Sequence, residues 1–272
     1  MTILDKSYII MGIVNVTEDS FYDGGRYATA SAAVDCALRL IGEGADVIDI
    51  GGCSSRPGAK FLPPEEEAAR VAPVVCELIR RGVSVPISVD TVWSSVAEAA
   101  IGAGATWVND IAAGRIDTRM PKLVASNPQC AAVLTHSRGT PDTMQVNPSY
   151  ADTVGEVIRE TARSVDAFLE AGVDKGKIIV DPGFGFAKDT GHNAELLRRL
   201  GDFVSMGYPV LVGLSRKSFI GALTNRPVES RLPGTLAATA VAYKNGAKIF
   251  RVHDVRETAD FLRVLTALGK DV

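Results

Sequence analysis

Asp90, Asn109 and Asp181 each close a short apolar run, in VPISVD, TWVND and KIIVDP. Arg56, Lys217, Arg251 and His253 follow similar runs as cations, in SSRPG, LSRKS and FRVH, and Asn15 ends YIIMGIVN. Two carboxylates and an amide, with no paired histidines beside them, suit a flat heterocycle that presents several N–H donors. They lie too far apart in sequence for a metal loop of the EF-hand kind. Guanidinium, ammonium and imidazole groups suit a phosphate or diphosphate. The chemistry expected is recognition of a molecule with a donor-rich ring at one end and an anion at the other.

Something must bring these distant positions together. Eight strand candidates run through the chain: YIIMGIVNV, DVIDI, VPISVD, TWVND, AAVLTH, KIIVDP, PVLVGLS and AKIFRVH. Helix-period segments lie between them, several ending in glycine, the usual residue just past a helix C-terminus. The strands are nearly continuous apolar runs and do not alternate, the pattern of parallel strands covered by helices. Eight β-then-α units predict an α/β fold, a closed (β/α)8 TIM barrel. The rival is an open doubly wound sheet, but NVTEDSFYDGG after the first strand is not the G-x-G-x-x-G dinucleotide turn. No linker, solenoid repeat or low-complexity tract appears, so one domain is assigned over residues 1–272.

In such a barrel the chemistry sits at the C-terminal ends of the strands, and each strand here ends in polar residues. One such residue is commonly a loop cap; eight at one rim point to a site. The second strand is read as ending in Asp49, the fourth in Asn109 and Asp110, the fifth in His136 and Arg138, and the seventh in Ser215, Arg216 and Lys217. His136 is open to two readings, ligand contact or structural histidine. His192, in DTGHN, reads as a helix-start or exposed residue. DSFYDGG and GGCSSRPGA are expected to be glycine-hinged loops over the site. Residues 137–150 form a long connection after the fifth strand.

Composition narrows the function classes. The chain is 46% hydrophobic and 22% charged with a net charge of −3, which excludes disorder and argues against a nucleic-acid partner. Its four cysteines show no metal-ligand or CxxC spacing and read as reduced thiols in a cytoplasm. The N-terminal apolar run lacks a basic flank and a cleavage site, and no run is long enough for a membrane span.

GIVNVTEDSFYDGG, DIGGCSSRPGA, SVDT, NDI, HSRGTPDTMQ, DPGFGFAK, VGLSRKSFIG, PGTLA and RVHDV resemble, in order and spacing, the motifs of the dihydropteroate synthase family, from Met11 to Val255. The resemblance implies a folate-pathway transferase that condenses (7,8-dihydropterin-6-yl)methyl diphosphate with 4-aminobenzoate to give 7,8-dihydropteroate and diphosphate. It implies that Asp90, Asn109, Asp181 and Lys217 hold the pterin, and that Asn15, Arg56, Arg251 and His253 bind the diphosphate. It further implies Mg²⁺ with Asn15 as ligand or near neighbour, and a 4-aminobenzoate site with Phe21, Ser55, Phe186, Lys217 and Ser218 as contacts. Asp90, Asp181, Lys217 and Arg251 are the residues expected to carry the chemistry. C–O cleavage ahead of amine attack would need leaving-group stabilisation by cations and metal, and exclusion of water. A homodimer through the C-terminal helices is also implied.

Three positions depart from the family pattern: Glu18 for proline in NVTPDSF, and Cys53 and Ser55 for glutamate and threonine in GGESTRPGA. Thr135 stands where a methionine is frequent, under the pterin. These changes fall near the 4-aminobenzoate side, and TEDSF with the Ser-Ser pair resembles sulfonamide-resistant members. Altered discrimination between 4-aminobenzoate and sulfonamides is therefore expected. Cys53 reads as a small turn residue ahead of a redox group. The alternatives are a pterin-binding paralogue without synthase activity, and a pterin-dependent methyl-transfer module. The latter should lack the arginine of SSRPG and the lysine of SRKSF.

Overall fold

Each strand buries two faces, and its residues divide between them by parity. Ile9, Met11, Val47, Trp107, Ala131, Val133, Ile179, Leu211 and Ile249 pack against one another as an inner core. Their sequence neighbours, among them Ile10, Ile48, Val108, Ala132, Leu134, Ile178 and Phe250, pack in a separate outer core. This is why the apolar runs are continuous: alternate side chains enter the barrel or meet the helices.

The computed structural model describes residues 3–16, 25–54, 58–146 and 148–269. The strands are β1 (Ile9–Asn15), β2 (Val47–Gly51), β3 (Ile87–Asp90), β4 (Trp107–Asp110), β5 (Ala131–Thr135), β6 (Ile178–Asp181), β7 (Leu211–Val212) and β8 (Ile249–Val252). The helices between and after them are α1 (Gly25–Gly42), α2 (Pro64–Arg80), α3 (Ser94–Ala103), α4 (Met120–Ala125), α5 (Thr153–Glu170), α6 (Thr190–Arg198), α7 (Leu200–Val204), α8 (Ser218–Thr224), α9 (Leu232–Lys244) and α10 (Val255–Leu268). The strands run parallel in the order β6-β5-β4-β3-β2-β1-β8-β7. A single bridge, Val180 to Val210, joins the two ends and nearly closes the sheet into the expected (β/α)8 barrel. Val180 N–H donates to the Pro209 carbonyl at 3.0 Å across this seam.

The seventh strand is shorter than PVLVGLS suggested. The ladder stops at Val212, and Arg216 takes a left-handed conformation at φ 57°. Residues 213–217 therefore form a turn that delivers Lys217 to the start of α8. His192 holds the predicted helix-start position: its N–H donates to the Asp189 carboxylate at 2.8 Å, capping α6.

Register and parity together place the polar residues. Asp90 lies opposite Gly51 on one side and Asn109 on the other, and Thr135 lies opposite Asp181. Asp90, Asn109, Thr135 and Asp181 all share the inward parity of their strands. Asp49 shares it too, but opposite Ser88, one side-chain layer below Asp90.

Candidate active site at the carboxyl mouth of the barrel

The mouth is organised around a chain of hydrogen bonds. Asp49, with no solvent exposure, accepts at Oδ2 from Asn109 Nδ2 at 3.0 Å and from Arg251 Nε at 2.6 Å. Arg251 Nη2 donates to Asp90 Oδ2 at 2.6 Å. Sequence reasoning put Asp49 at the rim as a strand terminus. It lies instead inside β2, because the ladder continues to Gly51 and the side chain points inward with that of Val47. Arg251, read as a cation for an anionic ligand, directs two of its nitrogens to carboxylates.

Asp181 ends β6 and turns the chain: its Oδ1 accepts the Gly183 N–H at 2.7 Å. Burial pushes its pKa up to about 6, opposed by that N–H and by the Lys217 charge. Burial raises Asp90 as well, against the pull of Arg251. Lys217 is pushed down to about 8, by burial first and then by Arg251, while Asp181 and Asp90 resist. Its ammonium lies 4.5 Å from the Phe186 ring centroid, a cation–π contact. Asp90, Asp181, Lys217 and Arg251 thus sense one another electrostatically at one end of the barrel.

His253, just past β8, is half-buried; desolvation and the Arg251 and Arg216 charges push it down to about 4, so it is neutral at pH 7. Its Nδ1 is paired with Ser215 Oγ at 3.0 Å. Asn15 ends β1 exposed, and Ser218 opens α8 exposed. Ser55, Arg56 and Phe21, with Glu18, lie outside the described residues. Asp110 points outward, unlike Asn109, and accepts the N–H groups of Ala112 and Gly114 at 2.8 and 2.7 Å, so it caps a turn. Thr135 is buried at the inward parity, and its Oγ1 has no hydrogen-bond partner.

A second network supports the loop after β6. Lys188, buried, donates to His136 Nδ1 at 2.9 Å and to the carbonyls of Phe186 and Gly183 at 3.0 and 3.1 Å. His136 Nε2 meets Glu160 at 3.0 Å. Burial and the Lys188 charge lower His136 to about 4, so the neutral ring accepts at Nδ1 and donates at Nε2. His136 is thus a structural histidine with both nitrogens engaged. Gly183 is required in this loop: at φ 70°, a Cβ would lie 1.9 Å from the His136 carbonyl oxygen. Sequence reasoning missed Lys188, although it belongs to the DPGFGFAK block. Cys53 is half-buried; its thiol donates to the Lys60 carbonyl at 3.5 Å beside Glu67 and Asp90, as a turn residue would.

Among the described residues no three His, Cys, Asp or Glu side chains cluster as metal ligands. A separate cleft of about 410 Å³ lies on the outer side of the barrel, lined by Arg115, His136, Glu160 and Ser164.

Residues 11–253 match the family model described as pterin binding enzyme. The chain is 46% identical over 270 residues to the dihydropteroate synthase of Neisseria meningitidis serogroup C, covering 98% of this chain and 94% of that one. It superposes on Xanthomonas albilineans dihydropteroate synthase with 4-aminobenzoic acid at a TM-score of 0.91, with 45% identity, covering 99% and 95% of the two chains. It superposes on the Xanthomonas albilineans enzyme in complex with 7,8-dihydropteroate at a TM-score of 0.89, with 42% identity, covering 100% and 97%.

Proposed function

We propose, since the chain belongs to the dihydropteroate synthase family, that its mouth condenses (7,8-dihydropterin-6-yl)methyl diphosphate with 4-aminobenzoate, releasing 7,8-dihydropteroate and diphosphate. The observation that carries this reading is the convergence of Asp90, Asn109 and Asp181 with Lys217 and Arg251 at one end of the barrel. Asp181 spends one oxygen on Gly183 and keeps the other for ring N–H donors. Asn109 and Asp90 add acceptors, and Lys217 donates to the ring carbonyl and nitrogen. Asp90, Asp181, Lys217 and Arg251 form the catalytic group.

Diphosphate binding falls to Asn15, Arg56, Arg251 and His253. With Nδ1 accepting from the Ser215 hydroxyl, His253 keeps its proton on Nε2 and donates from there while neutral. Arg251 Nη1 is the guanidinium nitrogen not used by Asp49 or Asp90. Cleavage of the methylene C–O bond sends its electron pair to the departing diphosphate, whose charge these donors receive. The amine of 4-aminobenzoate then gives its lone pair to the methylene carbon and loses a proton. The buried carboxylates supply a negative field where positive charge develops on the ring. Ser55, Phe186, Lys217 and Ser218 form the 4-aminobenzoate site.

Asn15 offers one exposed amide oxygen beside the diphosphate position. That fits Mg²⁺, which keeps several waters and binds through few protein oxygens plus substrate phosphates. When bound, the ion would neutralise charge on the leaving diphosphate.

We also propose one domain over residues 1–272 and a homodimer. Leu223, Val241, Val264 and Leu268 stand exposed on α8, α9 and α10, consistent with a partner there. A cytoplasmic location agrees with the free thiols of Cys36, Cys53, Cys76 and Cys130. Among the described residues no helix is long and apolar enough to cross a membrane.

Purified protein incubated with the pterin diphosphate, 4-aminobenzoate and Mg²⁺ should yield 7,8-dihydropteroate and diphosphate in equal amounts. Tight pterin binding without product would instead assign a non-catalytic paralogue.

A further inference from the structure

Asp49 lies below the proposed substrate contacts, yet it holds two of them. Its Oδ2 takes Asn109 Nδ2 from β4 and Arg251 Nε from β8, at 3.0 and 2.6 Å. Arg251 Nη2 carries the chain on to Asp90 on β3 at 2.6 Å. One fully buried oxygen thus ties together side chains from four strands.

The chemistry of that oxygen decides how its partners face. A carboxylate only accepts, so the amide of Asn109 must turn its NH₂ group toward Asp49. Its carbonyl oxygen is then directed elsewhere, as an acceptor for a ring N–H. Without that constraint the amide could rotate and set a donor against a donor. Arg251 is constrained in the same way. With Nε on Asp49 and Nη2 on Asp90, the guanidinium plane is set and Nη1 is the nitrogen left for the anionic end.

We infer that Asp49 is a positioning residue for pterin recognition: its buried Oδ2 sets the acceptor orientation of Asn109 and the plane of Arg251. The inference rests on the pterin reading given above. A plain charge-balancing role for Asp49 would predict lower stability and a similar loss toward both substrates. A positioning role predicts a selective loss toward the pterin.

The test measures binding of 6-hydroxymethylpterin by calorimetry, with KM for 4-aminobenzoate at saturating pterin diphosphate and thermal unfolding alongside. Asp49→Asn removes the charge and lets either donor or acceptor face Asn109. It should weaken pterin affinity about 10- to 100-fold, the range for a lost charged hydrogen bond. KM for 4-aminobenzoate should stay within about twofold of wild type, because the Asp49 hydrogen bonds run to Asn109 and Arg251 and not to the residues assigned to that site. The exchange variant D49N/N109D restores one donor and one acceptor across the same contact. It should recover part of the lost pterin affinity, a non-additive result.

Pterin affinity unchanged in folded D49N overturns the inference, as does an equal loss toward both substrates. So does an exchange variant no better than D49N. Should D49N fail to fold, the exchange variant carries the test: pterin binding by it supports the positioning role, and absence of binding in its folded form overturns it. If wild type itself binds no pterin, it is the proposed function that fails.

Discussion

Replacing Asp181 with Asn should show how the mouth recognises its ring. Asp181 is buried, and its Oδ1 already accepts the Gly183 N–H at 2.7 Å. An amide in its place would keep that contact with its carbonyl oxygen and turn NH₂ toward the ligand. A ring N–H would then meet a donor where it had an acceptor. The loss combines a charge-assisted hydrogen bond, worth about 1.5–3 kcal/mol, with a buried donor left unsatisfied at about 1–3 kcal/mol. The total is at least about 2.5 kcal/mol, or roughly 70-fold in affinity. Titration calorimetry with 6-hydroxymethylpterin reads this directly. The pH dependence supplies an internal check. Burial raises Asp181 to about 6, so above that pH it is ionised and accepts, and below it the carboxyl carries a proton. Wild-type affinity should therefore fall as pH drops below about 6, and Asp181→Asn should lose the component of that fall due to Asp181. A variant that binds within about threefold of wild type, or keeps the whole acid limb, would refute the reasoning.

Three other outcomes are expected. Lys217 is lowered to about 8 by burial and by Arg251, so kcat/KM for the pterin diphosphate should decline above pH 8; Lys217→Arg should lose that alkaline limb even at a reduced rate. Gly183→Ala places a Cβ 1.9 Å from the His136 carbonyl oxygen at φ 70°, so melting temperature and pterin affinity should fall together, and an unchanged melting curve would count against the loop argument. The ratio of the sulfonamide inhibition constant to KM for 4-aminobenzoate should differ from that of a common bacterial relative, measured side by side; equal ratios would remove the expectation drawn from Glu18, Cys53 and Ser55.

The barrel was legible because its parallel strands are buried on both faces. Runs such as VIDI and AAVLT carry no alternation, and periodicity with segment count then suffices. The mouth was legible where a polar residue ends a strand, as Asp90 and Asp181 do. Asp49 was misplaced because a carboxylate within a strand and one at its end look alike when glycines follow. Its inward parity with Val47 was the available signal. Arg251 was read from its charge alone, and only register brings it against Asp49 and Asp90 from 202 and 161 residues away. Lys188 was missed because its partners are mostly backbone carbonyls, which a sequence does not display. The end of β7 was overrun because VLVGLS stays apolar past the point where the backbone turns out of the ladder.

Whether a single barrel mouth grips a ring with its acceptors and an anion with its cations can be seen in a crystal structure of the protein with the pterin diphosphate. The ring should lie within hydrogen-bonding distance of Asp90, Asn109 and Asp181, with the diphosphate toward Arg251 and His253. A ring seated instead in the outer cleft beside Arg115 and Ser164, with those carboxylates uncontacted, would contradict this arrangement.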